Sequence, residues 1–164
     1  MKITPAFFLL ALFLSGCATP YQQSGLIGGF SETQLDNNSW TVTFKGNGYT
    51  SRERATDFNL LRCAEVCLEN GYKYFVIVDG KEYSEQDSYT TPTTSYTTGS
   101  AYAYGNNVYG SATTQNYGGQ TYNISKPTNS NTIFCFKQKP AINAMVYNAE
   151  FIQKSIREKR AMNE

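Results

Sequence analysis

The chain has 164 residues, 14 of them basic and 13 acidic, and it contains no histidine. That length supports one domain with a real core, and near-neutrality removes the overall field that would draw the chain to nucleic acid. The missing histidine takes away the usual neutral-pH general base and the commonest transition-metal ligand together.

The amino terminus reads as an address. Lys2 supplies a positive start and Ala6 to Leu14 an apolar run, too short for the roughly 20 residues a spanning helix needs, which is the pattern of a secretory signal. Leu14-Ser15-Gly16-Cys17 then resembles the bacterial lipobox, in which the cysteine thiol is acylated and the chain is cut just before it. The bland alternative is an ordinary signal peptide with a chance cysteine. On the lipobox reading residues 1–16 are removed and Cys17 becomes the acylated first residue, and 13 basic residues then face 13 acids. Several buried acyl chains, at about 0.8 kcal/mol per methylene, make such an anchor effectively permanent. By resemblance to enterobacterial lipoprotein sorting, Ala18 in place of aspartate after the cysteine implies the outer membrane; the expected location is a lipid anchor there, with the domain on the periplasmic face. Residues 17–28 are polar and glycine-bearing, as expected of a short unfolded tether.

Residues 29–164 are expected to form a single α+β domain. In GGFSETQLDNNSWTVTFKGNG, two extended segments flank an Asp36-Asn37-Asn38 turn, and Trp40, Val42 and Phe44 alternate on one face, the signature of a hairpin. Thr50-Ser51-Arg52-Glu53 is a capping-box pattern with Thr50 as the cap, so a helix starts there and stops at Gly71. Its apolar positions Leu60, Leu61, Ala64, Cys67 and Leu68 form one stripe, leaving Glu53, Asp57, Glu65 and Glu69 on the opposite, solvated face. Tyr72 to Val78 is the strongest strand in the chain. Gly46-Asn47-Gly48 with Arg52 and Arg54 reads either as an anion-binding loop or as a glycine turn feeding the helix; no complete phosphate motif supports the former.

From Ser84 to about Asn131 the composition shifts to Tyr, Thr, Gly and Ser, with no charged side chain between Ser88 and Ser125. Large aliphatic residues are scarce, so the stretch is expected to form a mobile loop. The alternatives are a glycan or partner surface built on Tyr96, Tyr102, Tyr104, Tyr109 and Tyr117, or ordered self-assembly. Beyond it, Asn131 to Gln138 forms a strand with Ile133 and Cys135 on one side and Phe134 and Phe136 on the other. Pro140 then opens a second helix whose stripe is Ile142, Met145, Val146, Ala149, Ile152 and Ile156. Its basic end, Lys154, Arg157, Lys159 and Arg160, suits anionic lipid or murein. The expected architecture is a small, mostly antiparallel sheet of about four strands packed by two helices, in the order β-β-α-β-(long low-complexity loop)-β-α.

An oxidising periplasm permits disulfides. Cys63 and Cys67 are stacked one helical turn apart, so Cys135 is the better partner for either; Cys67 with Cys135 is favoured, with Cys63 and Cys135 as the alternative. The competing reading is three small buried hydrophobes. Three thiols at this spacing without histidine do not match a zinc framework, so no metal and no cofactor beyond the covalent lipid at Cys17 is expected.

The lipobox, Thr19-Pro20-Tyr21, Gly28-Gly29-Phe30-Ser31-Glu32-Thr33, Phe44-Lys45-Gly46-Asn47-Gly48-Tyr49-Thr50 and Leu60-Leu61-Arg62-Cys63-Ala64-Glu65 together resemble a family of small proteobacterial outer-membrane lipoproteins. The resemblance spans most of the folded part. It implies a helix and a few strands flanking a variable Thr/Gly-rich insert, and it brings no catalytic residue. The functional expectation is therefore a membrane-anchored, noncatalytic envelope binding or structural module, with peptidoglycan or another envelope protein as the candidate partner. A peptidoglycan or glycan binder using the tyrosine-rich insert is the alternative, and a histidine-free enzyme centred on carboxylates or Cys63 is the third.

Overall fold

A computed structural model describes residues 18–162. Cys17 and the expected signal segment lie outside the described residues. Among the described residues the fold is α+β, with seven strands and two helices: β1 (Gly29–Asp36), β2 (Ser39–Lys45), α1 (Arg52–Glu69), β3 (Tyr74–Thr90), β4 (Thr94–Tyr104), β5 (Asn107–Tyr117), β6 (Thr121–Phe136), β7 (Tyr147–Asn148) and α2 (Ala149–Ala161). Five strands form one sheet in the order β1-β2-β6-β3-β7, and β4 pairs with β5 in a second. The expected four strands are too few because the low-complexity insert is itself strand. Two compact units result, one holding the residues up to Glu85 and from Ser125 onward, the other Gln86–Ile124.

In the first unit, β1 and β2 make the expected antiparallel hairpin, with Phe30 opposite Phe44 and Gln34 opposite Trp40. β2 also pairs antiparallel with β6, which sets Trp40 opposite Ile133. The alternation holds: Trp40, Val42 and Phe44 are buried, as are Ile133 and Cys135, while Phe134 stays partly exposed. Against this face α1 lays Ala55, Phe58, Leu61, Cys63, Ala64 and Cys67, all buried. Burying a large apolar side chain of this kind contributes about 1.5–3 kcal/mol. A second cluster joins the helices, where Ile156 packs with Phe44, Phe58 and Leu61.

Helix α1 starts one residue later than the capping-box pattern implies. Ser51 is the cap, its hydroxyl accepting from the Arg54 amide at 3.1 Å. Thr50 is buried, and its Oγ1 accepts from the Thr19 amide at 3.0 Å and donates to Asn47 Oδ1 at 3.0 Å. Gly71 ends the helix as expected, at φ +77°. Asn59 is fully buried between α1 and the sheet: it donates to the carbonyls of Val42 at 2.8 Å and Asn129 at 3.0 Å, and accepts from Asn131 at 2.6 Å. A buried amide at this position ties α1 to β2 and β6 through groups that would otherwise lose hydrogen bonds.

The second helix begins at Ala149, well after Pro140. Ile142 and Met145 are exposed, so the apolar stripe shortens to Ala149, Ile152 and Ile156. Two local interactions set the later start. Tyr147 pairs with Phe75 at the sheet edge, their rings stacked at 5.1 Å, and Asn148 caps the helix by accepting from the Phe151 amide at 3.0 Å.

The expected tether is folded. Thr19 is fully buried. Tyr21 lies between the rings of Phe30, at 4.9 Å, and Phe58, at 5.2 Å, and Ser24 donates to the Phe30 carbonyl at 2.7 Å. Composition alone marks 18–28 as a spacer; the aromatic ring of Tyr21 and the paired hydroxyl of Thr19 make it part of the domain.

In the second unit, β4 and β5 form an antiparallel hairpin around Gly105-Asn106, with Tyr104 opposite Asn107. Gly105, at φ +61°, occupies the first central position of a two-residue loop, where a positive φ lets the turn follow the strand twist. The insert is thus ordered rather than the expected mobile loop. Its threonines and tyrosines are strong strand formers, and cross-strand pairs bind the ladder: Ser95 to Asn116 at 2.6 Å, Thr97 to Thr114 at 2.8 Å, and the stacked rings of Tyr102 and Tyr109 at 5.6 Å. The scarcity of core residues shows in burial instead, since every residue of β4 and β5 is exposed.

Candidate functional site

The hairpin register brings the five candidate tyrosines together. Residues opposite one another in an antiparallel pair share a face, and so do residues two apart along a strand. Tyr96, Tyr102 and Tyr104 fall on one face of β4. On β5, Tyr109 lies opposite Tyr102, and Tyr117 lies opposite Thr94. All five therefore project from one face of the ribbon, and all are exposed. Along β4 the row from Tyr96 to Tyr104 extends about 27 Å at ~3.4 Å per residue.

Between the two ends of that row, the same face carries Thr98 opposite Thr113 and Ser100 opposite Ser111. With Gly99 these residues line a hollow of about 300 Å³. A Cβ at Gly99 would lie on the opposite face, beside Ala112, and would come 3.2 Å from the Ser111 carbonyl, closer than most real Cβ contacts. The site is thus a strip of small hydroxyl side chains bounded by phenol rings, uncharged throughout. Each ring offers a flat apolar face and a polar edge.

The cysteines occupy the core of the first unit. Cys63, Cys67 and Cys135 are all buried and all free, so the expected bond from Cys67 or Cys63 to Cys135 is not formed. Cys67 Sγ donates to the Tyr74 carbonyl at 3.3 Å and Cys63 Sγ to Asn59 Oδ1 at 3.6 Å. Burial pushes the Cys63 thiol up, and hydrogen bonding with Cys67 followed by burial does the same to Cys135. Oxidation and nucleophilic attack both proceed through a thiolate, which this environment disfavours.

The acidic face of α1 differs most from expectation. Glu65 is buried. It accepts from the Tyr21 hydroxyl, from Arg157 at 2.8 Å and from Arg62 at 3.3 Å. Arg62 also reaches Glu32 and Glu69, each at 2.9 Å. Burial, then the hydrogen bond to Glu65, raises the Tyr21 phenol far above its usual range. Nearby, Lys159 bonds Glu53 at 2.6 Å and Asp57 at 3.0 Å, and Arg160 bonds Asp57. The basic end of α2 is thus drawn onto α1, apart from Lys154, which faces Glu158 at 3.8 Å. A helical wheel of α1 contains no sign of this cover, because Tyr21 and α2 come from distant parts of the chain. A cavity of about 330 Å³ opens beside the cluster, lined by Tyr21, Arg54, Phe58, Leu61, Arg157 and Arg160 among others.

The Gly46-Asn47-Gly48 loop uses its polar groups internally. The Asn47 amide donates to Thr19 Oγ1 at 2.8 Å, and Asn47 Oδ1 accepts from the Tyr49 amide at 3.0 Å. It is a turn that feeds the capped helix. Among the described residues, no group of His, Cys, Asp and Glu side chains is arranged to hold a metal ion, and no helix is long and apolar enough to cross a membrane. Compared with known proteins, the chain matches no family profile, no curated protein and no solved structure.

Proposed function

We propose that this chain is a noncatalytic, outer-membrane lipoprotein, anchored through acylated Cys17 on the periplasmic face, whose tyrosine-faced ribbon binds neutral glycan strands such as those of peptidoglycan. One observation carries the reading: five exposed tyrosines share one face of the hairpin with a hollow lined by Thr98, Ser100, Ser111 and Thr113. A sugar ring has an apolar C–H face that stacks on a phenol and a rim of hydroxyls that exchange hydrogen bonds with threonine and serine. The absence of charge between Ser88 and Ser125 favours an uncharged ligand over an ionic partner. A noncatalytic role is supported by the use of the α1 carboxylates in ion pairs and by the burial of the three cysteines, which pushes the Cys63 thiol up.

Sedimentation with purified sacculi tests the proposal. The wild-type chain is expected to pellet with sacculi and to keep doing so at high salt, because no ion pair is screened. Replacing Tyr102 and Tyr109 together by serine is expected to release most of it. Binding undiminished in a chain lacking residues 88–125 rules out the ribbon as the site, and cross-linking to an envelope protein in place of sacculi transfers the role to a protein partner.

A further inference from the structure

The segment after the proposed acylation site contains a feature that the glycan reading does not use. Gly25 and Gly28 exchange two backbone hydrogen bonds, each of 3.1 Å, closing a tight turn with Leu26 and Ile27 at its tip. Leu26 is fully exposed and Ile27 more than half exposed. Two adjacent branched aliphatic side chains are an unusual choice for a turn, where polar residues and glycine dominate. Glycine is required at the base: Gly28 has φ +96°, and a Cβ there would collide with the Lys45 carbonyl.

This tip is fastened to the start of the folded chain. Thr19 Oγ1 donates to the Ile27 carbonyl at 2.8 Å, while the Thr19 amide is held by Thr50 and its Oγ1 by the Asn47 amide. Thr19 stands two residues after Cys17, a separation that spans at most ~7 Å of chain. Lys45 and Lys126, with Glu85, line the hollow beside the turn. Exposed aliphatic side chains of this kind suit an acyl region, and lysines beside them suit anionic headgroups.

We infer that Leu26 and Ile27 form a membrane-inserting tip that enters the same bilayer leaflet as the acyl chains on Cys17 and fixes the orientation of the first unit against it. The inference rests on the anchor reading for its occupant, and its own support is the exposure of the tip and its bond to Thr19. Without the tip, an acylated residue would hold the domain by a single point and leave it free to rotate.

The test places a fluorescent label on Leu26→Cys, or on Leu35→Cys as a control, in the full chain extracted from membranes. Leu35 is exposed and lies about 20 Å from Gly29 along β1, and the three native core thiols are buried. Each labelled protein is reconstituted into phosphatidylethanolamine–phosphatidylglycerol vesicles carrying spin-labelled acyl chains. The expected result is loss of fluorescence at position 26 with none at 35. Equal quenching at both positions, or none at 26 while the protein remains in the vesicles, overturns the tip. Fractionation of a Cys17→Ser chain exported behind an ordinary cleavable signal, so that the apolar run at 6–14 is absent from the processed product, tests the anchor separately. If that chain stays in the membrane fraction the anchor reading fails, and quenching at 26 measured in it still decides for or against the tip.

Discussion

Strands β2 and β4 both alternate, yet they are held in different ways. In β2 one face carries Trp40, Val42 and Phe44, closed over by α1 and buried; in β4 the corresponding alternation sets Tyr96, Tyr102 and Tyr104 on a face that nothing in their unit covers. Strand geometry assigns side chains to faces in both cases, but burial requires a second layer. The ribbon obtains its order from backbone pairing, β-propensity and cross-strand contacts. A two-stranded hairpin of this kind is only marginally stable by itself, so the two units should respond to perturbation on different scales.

The largest separation comes from the core. Phe75 is fully buried and stacked on Tyr147, so Phe75→Ala is expected to lower the stability of the first unit by about 3–5 kcal/mol in urea titration. An unchanged midpoint would deny that this core holds β7 and α2 in place.

A smaller contrast is set by pH. The Cys63 thiol is raised from its usual value near 9 by burial. Below that value it is protonated in both folded and unfolded chains, and above it only the unfolded chain releases the proton. Stability of the first unit should therefore fall as pH rises above 9, by about 1 kcal/mol per pH unit from this group. Cys63→Ala should flatten that slope in urea midpoints measured through the alkaline range; an identical slope would assign the loss elsewhere.

The smallest effect belongs to the ribbon. Tyr102→Ala removes the stack on Tyr109, worth about 0.5–1.5 kcal/mol. Faster hydrogen exchange is expected in amides between Thr94 and Tyr117, with the urea midpoint of the first unit unmoved. A shift of that midpoint would show that the units do not unfold independently.

Much of the first unit is legible from period alone. Trp40, Val42 and Phe44, and Ile133 with Cys135, mark buried faces because every second residue of a strand points the same way. Glu65 is not legible, since a wheel of α1 gives only its own apolar stripe and cannot show that Tyr21 and Arg157 arrive over the opposite side. Thr50 and Ser51 both fit a cap; the choice falls to Ser51 because Thr50 is engaged by Thr19, thirty-one residues away. The tyrosines are conspicuous as residues but not as a surface, because their common face depends on register across Gly105-Asn106. That Gly-Asn pair between two Tyr/Thr-rich runs is the available signal, masked by reading the insert through its lack of core residues.

The topology leaves the ribbon open to change in length. Strands β3 and β6 are neighbours in the five-stranded sheet, so the sheet is completed across the ends of the insert rather than through it. Doubling a connecting segment adds only about 0.6 kcal/mol of closure entropy, which makes insertions and deletions here thermodynamically cheap. Parity is the stricter rule. A single residue added to β4 between Tyr96 and Tyr102 would send Tyr96 to the opposite side, so growth that preserves the aromatic row proceeds by matched pairs on both strands, in increments of about 7 Å.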